Sequence, residues 1–187
     1  SNKRVVEALN RGKTFVQEPR LQELIASANC RLSAMTDGIE AARQTDVSFL
    51  IVPTPSERNG NFSLNHILDA VKQVGQGIKN KDSRHLVVIT STVMPGGTEG
   101  EIIPFLEATS GKKCGPDFGV CYSPEFVALG SVVRDLLAPD LILIGESDRE
   151  AGDLLEELYK NIKENSPAIE RMNIINAEVA KLAVNTF

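Results

Sequence analysis

Two groups of residues in this chain have types and spacing that could do chemistry. In AEVAKLAVNTF (177–187), Lys181 and Asn185 lie four apart, with Glu178 three before the lysine. A helix would carry all three as one stripe, setting an amine and an amide side by side. Charged stripes are ordinarily solvated faces, so these residues alone leave both readings open. In GVCYSPEF (119–126), Glu125 follows a proline just past an apolar run. A carboxylate there can act as a base or accept hydrogen bonds from hydroxyls, although a lone loop glutamate is more often plain surface.

Two further loops follow apolar runs. VSFLIV (47–52) leads into PTPSERNGN, where Pro53 and Pro55 flank Thr54 and stiffen the backbone that carries it. LVVIT (86–90) leads into STVMPGGTEGE, where Gly96 and Gly97 let backbone approach a ligand closely. Thr98 with Glu101 reads as a capping box. Its amide-rich start could attract an anion, but Glu99 and Glu101 in the first turn would repel a phosphate. An uncharged ligand group near Thr92 is therefore the reading adopted.

These loops need elements to hold them. VSFLIV, LVVIT, GVCY (119–122) and LILIG (141–145) are short and wholly apolar, which suits strands covered on both faces in a parallel sheet. Between them run helical patterns. Leu64, Ile67, Leu68, Val71, Val74 and Ile78 keep a three-or-four spacing after Ser63, a candidate N-cap. Ser147 and Glu150 form a capping box before Leu154, Leu155 and Leu158, which are predicted to face the core. The alternation predicts an α/β, doubly wound, mostly parallel sheet, whose ligands bind beyond the carboxyl ends of the strands.

Composition bounds the partners. The 187 residues carry a net charge of −5, with 42% hydrophobic and 24% charged residues. No basic block points to nucleic acid or an anionic membrane surface, and no apolar run is long enough to span a bilayer. Cys30, Cys114 and Cys121 are odd in number and widely spaced, which argues for a reducing, cytoplasmic setting. With His66 and His85 they offer no metal-site spacing. Cys121 is predicted to pack as a small apolar residue.

Taken in order, NKRVVEALNRGK, EPRLQELI, VPTP, STVMPGGTE, YSPEF, APDLILIG and AEVAKLAVN resemble the UDP-glucose/GDP-mannose dehydrogenase family along essentially the whole chain. The resemblance implies NAD-dependent oxidation of a nucleotide-sugar C6 alcohol to a carboxylate, in two hydride transfers through a thioester on a cysteine. It implies that Lys181 stabilises the developing oxyanion, with Asn185 beside it. Glu125 would handle the hydrolytic water, and Thr92 would lie near the nicotinamide and reacting carbon. Thr54 and Arg4 would contact the cofactor, Arg4 on its adenosine side, while the backbone of Phe126 and Val127 would line the sugar. It also implies a homodimer through a long central helix, of which 173–187 would be the start, and a Rossmann-like cofactor domain in 1–172.

Three departures accompany the resemblance. The family's first strands and G-x-G-x-x-G turn are not among these residues, nor is its nucleophilic cysteine. The position of a second glutamate after the PEF motif is Leu129. In the strand order 3-2-1-4-5-6, RLSAM (31–35) would be strand 3 and VSFLIV strand 4. RLSAM then lacks a neighbour, residues 1–35 dock poorly, and VSFLIV is an exposed edge. Two alternatives stand beside the nucleotide-sugar reading. One is a β-hydroxyacid dehydrogenase, which shares Lys-x-x-x-Asn but not the PEF loop. The other is a non-catalytic nucleotide-binding module.

Overall fold

A computed structural model describes residues 2–14, 16–28, 31–56, 62–128 and 130–186, with Asn185 and Thr186 as backbone only. Five strands form one sheet in the order β1-β2-β3-β4-β5: β1 (Val47–Leu50), β2 (His85–Ile89), β3 (Phe118–Tyr122), β4 (Leu141–Glu146) and β5 (Ala168–Asn173). The first three are parallel. β4 pairs antiparallel to β3 through Cys121–Glu146 and Tyr122–Gly145, and β5 follows β4 in parallel. The four apolar runs are thus strands. β5 escapes the sequence pattern because AIERMN alternates and one of its faces is polar.

Helices cover both faces, as a doubly wound sheet requires. The helices are α1 (Lys3–Asn10), α2 (Leu21–Ala28), α3 (Gly38–Gln44), α4 (Asn65–Ile78), α5 (Ile103–Ser110), α6 (Val132–Leu137), α7 (Arg149–Ile162) and α8 (Ile174–Thr186). On one face Val87, Ile89, Val120 and Tyr122 pack with Ile67 and Val71 of α4, Leu106 of α5, and Ile174 and Ala177 of α8. On the other, Leu86, Val88, Cys121 and Ile144 meet Leu155 and Tyr159 of α7. Cys121 is fully buried, and burial pushes its thiol up to about 12.

Four local expectations are corrected. α4 is preceded by Leu64, with no side-chain cap from Ser63. Asp148, not Ser147, caps α7 by accepting from Ala151 N–H, while Glu150 pairs with Arg84. Leu154 turns outward, 45% exposed. Thr98 and Glu101 form no capping box either. Thr98–Ile102 is a π-helical turn leading into α5.

The amino-terminal segment is held by polar contacts. α1 and α2 bury no residue. Asn10 exchanges two hydrogen bonds with the backbone of Ala34 at 2.9 and 2.7 Å, and Arg20 pairs with Glu164. Residues 31–35 form no strand and do not pair with β1. β1 is an edge strand, with Phe49 39% exposed and Ile51, just past its end, 62%. Among the described residues no helix is long and apolar enough to cross a membrane.

Candidate active site

The site forms where β1, β2 and β3 end side by side. Their tips are tied together: Thr90 N–H donates to Leu50 O at 3.1 Å and Ser123 N–H to Ile89 O at 2.9 Å. Ser91 adds a clamp. Its hydroxyl accepts from Val52 N–H and donates to Val52 O, both at 2.8 Å. The loop that carries Thr54 is therefore fixed to the one that carries Thr92, and both threonines are half-buried. The hydroxyl of Thr90 is buried with no hydrogen-bond partner among the described residues.

α8 approaches this edge closely because Gly145 in β4 has no side chain. A Cβ there would stand 2.8 Å from both Ile174 Cα and Ala177 Cβ. Seated in this way, α8 buries its polar stripe, and the solvated-face reading fails for two of its three members. Glu178 is fully buried and Lys181 is 7% exposed. Glu178 accepts from Gly96 N–H at 2.6 Å and Thr98 N–H at 3.0 Å. The amides that the sequence offered to an anion are thus taken by the protein's own carboxylate. Gly96 adopts a positive φ of 88°, which glycine tolerates without strain.

One turn further on, Lys181 Nζ donates to the carbonyl of Glu125 at 2.6 Å and stands 4.3 Å from the centroid of the Phe126 ring. Burial lowers the pKa of this ammonium, opposed by the negative charge of Glu125. An ammonium has three donors, and among the described residues only one is spent on a protein acceptor. Lys181, Glu125 and Phe126 are therefore brought together across 56 residues of sequence. Val127 is 38% exposed in the same loop. Asn185 lies one turn beyond Lys181 in α8, its side chain outside the described atoms, as is Leu129. Arg4 sits exposed on α1, away from the core.

Beside the loop opens a cavity of about 280 Å³, lined by Ser123, Glu125, Phe126, Tyr159, Lys163 and Val184 among others. This is near the lower end of small-molecule pockets. Tyr159 supports the loop from below. Its hydroxyl meets Ser123 Oγ at 2.8 Å in a fully buried contact, and burial pushes the phenol up to about 12. Lys163 Nζ reaches Leu136 O and lies 4.8 Å from the Tyr159 ring centroid, its pKa also lowered by burial. Sequence reasoning did not single out Ser91, Tyr159 or Lys163. It noted Glu178 but assigned it nothing, although the i−3 spacing to Lys181 was the available signal.

A sheet with helices on both faces and a polar cluster beyond its parallel strand ends is the architecture of a Rossmann-like, doubly wound nucleotide-binding domain. Residues 1–163 match the UDP-glucose/GDP-mannose dehydrogenase family, NAD binding domain, and the chain belongs to this family. It is 39% identical over 184 residues to the GDP-mannose 6-dehydrogenase of Pseudomonas aeruginosa, covering 97% of this chain and 42% of that protein. It is 37% identical over 186 residues to a UDP-glucose 6-dehydrogenase of Haloferax volcanii, covering 98% and 43%. The crystal structure of a ternary complex of the Pseudomonas aeruginosa enzyme superposes with a TM-score of 0.92 at 38% identity, over 99% of this chain and 42% of that one. A UDP-glucose dehydrogenase structure from Pyrobaculum islandicum gives 0.90 at 36%, over 100% and 42%. The chain thus spans about two-fifths of the length of these relatives.

NAD is the cofactor of this domain. The two clamped loops carry half-buried Thr54 and Thr92, and the buried Thr90 hydroxyl, without a partner among the described residues, lies just past β2. The 187 residues contain no G-x-G-x-x-G turn.

Proposed function

We propose that this chain is part of a nucleotide-sugar 6-dehydrogenase, which oxidises the C6 alcohol of a UDP- or GDP-sugar to the carboxylate. The observation that carries the reading is the junction of α8 with the PEF loop: a buried ammonium held on the Glu125 carbonyl, with two donors unspent among the described residues. Lys181 binds and stabilises the oxygen that becomes negative, because a donor in a dry site acts strongly on developing charge. Asn185 assists on the same helix face, and Glu125 positions the hydrolytic water. Phe126 and Val127 line the sugar. Thr54, Thr92 and Arg4 contact NAD, which accepts hydride from C6 when bound. The names of the GDP-mannose and UDP-glucose enzymes among the relatives support both substrate classes. We further propose that residues 173–187 open a connecting helix through which a cytoplasmic homodimer forms.

The test is a spectrophotometric assay of the product of the complete reading frame with NAD and GDP-mannose, UDP-glucose or UDP-N-acetylmannosamine. Two NADH per sugar are expected from one of them. Turnover of small hydroxyacids instead would overturn the reading. The 187-residue chain alone is expected to yield no NADH, since it lacks the family's nucleophilic cysteine and phosphate-cradling turn.

A further inference from the structure

Glu178 is a fully buried carboxylate, and among the described residues it has no ion-pair partner. Lys181, three residues on, is turned to Glu125 instead. A buried carboxylate is costly unless its oxygens are satisfied by hydrogen bonds. Here the satisfaction comes from two backbone amides, one to each oxygen: Gly96 N–H to Oε2 and Thr98 N–H to Oε1. Gly96 stands four residues after Thr92. No neutral side chain of that size offers two acceptors in the same fork, because the glutamine amide would turn its NH₂ toward one of the two donors.

We propose that Glu178 is a positioning residue: its carboxylate is the built-in anion that fixes the Ser91–Thr98 loop to α8. Two consequences follow from the contact. First, the loop that carries Thr92 and the loop that carries Glu125 are held by successive turns of one helix, through Glu178 and Lys181, so they move together. Second, the Gly96 and Thr98 amides are not available to a phosphate of the ligand. Only the naming of that loop as cofactor-facing rests on the dehydrogenase reading; the carboxylate–amide fork stands without it.

Amide hydrogen exchange and ¹⁵N–¹H spectra of the 187-residue chain test this without turnover, so an inactive protein neither supports nor weakens it. In Glu178→Gln, exchange at Gly96 and Thr98 is expected to rise about ten- to hundredfold, the factor that a hydrogen bond to a charged group is worth. Val87 and Val120 in the sheet should stay at their original rates. In Glu178→Ala, millimolar acetate or inorganic phosphate should restore slow exchange at those two amides and shift their resonances. Neither ion should move them in the unsubstituted chain. Three results would overturn the proposal: a rise that is uniform across the sheet, which marks a merely stabilising residue; no recovery with either anion; or displacement of the native carboxylate by phosphate. If Glu178→Ala does not fold, unchanged exchange at Gly96 and Thr98 in Glu178→Gln is decisive against it.

Discussion

Gly145→Ala probes how α8 is seated. The added Cβ would lie 2.8 Å from Ile174 Cα and 2.8 Å from Ala177 Cβ. Carbon atoms settle at about 3.5–4.0 Å, so α8 must retreat from β4 by roughly 1 Å. A retreat of that size takes Lys181 Nζ from 2.6 Å to about 3.6 Å from the Glu125 carbonyl, beyond hydrogen-bonding range. The Glu178 fork lengthens with it. Overpacking costs about 1–3 kcal/mol, and two weakened polar contacts add about 1 kcal/mol each. We expect a loss of roughly 3–5 kcal/mol in urea unfolding followed by circular dichroism, with shifted Gly96 and Thr98 amides. Adding Ala177→Gly should recover only part, since the clash with the Ile174 backbone remains. A Gly145→Ala chain within about 0.5 kcal/mol of the original, with both amides unmoved, would refute this account of the helix as tightly seated.

The other predictions address single contacts. In the catalytically complete protein, Lys181→Ala should lower kcat about 10²–10³-fold with little change in substrate binding; a variant retaining more than about half of kcat would remove Lys181 from the chemistry. Burial, assisted by Lys81, lowers the pKa of His85 from 6.5 to about 4. The unfolded chain therefore takes up a proton first as pH falls. Stability should be constant above pH 6.5 from this group and drop by up to about 3 kcal/mol toward pH 4, a slope that His85→Gln should abolish. Tyr159→Phe should cost about 1–2 kcal/mol by leaving the buried Ser123 hydroxyl unpaired, and an unchanged unfolding midpoint would exclude that support for the PEF loop.

What could be read in advance follows from where the information sits. The four apolar runs announce buried strands because both faces of each are covered. α4 announces itself because four of its six periodic positions, Ile67, Val71, Val74 and Ile78, are buried. β5 does not, since its alternating AIERMN borders a polar face where Arg171 pairs with Glu146, Asp153 and Glu156. Caps fail for a related reason. Ser147 looks like an N-cap, but its hydroxyl accepts from Val120 N–H and donates to Asp148, which caps in its place. At the candidate site, motif and type single out Lys181 and Glu125, whereas their contact is not written in either segment. Nothing local in either segment encodes a hydrogen bond across 56 residues. Glu178 takes no role from sequence because a charge on a helix reads as solvated until its surroundings are known, and here those surroundings are two amides 80 and 82 residues away.

The reversal of β4 and β5 gives α8 its direction. In an all-parallel continuation, a helix after the last strand would run away from the strand ends where ligands bind. Here β4 is antiparallel to β3, with Gly145 opposite Tyr122, and β5 copies its direction. A helix that leaves β5 and folds back along the sheet therefore heads toward the carboxyl ends of β2 and β3. Ile174 and Ala177 anchor it on Gly145. At about 1.5 Å per residue, Glu178 and Lys181 then arrive on successive levels, the first at the loop after β2 and the second at the loop after β3. A polar stripe that looks solvent-facing in sequence is buried because the sheet turned over beneath it.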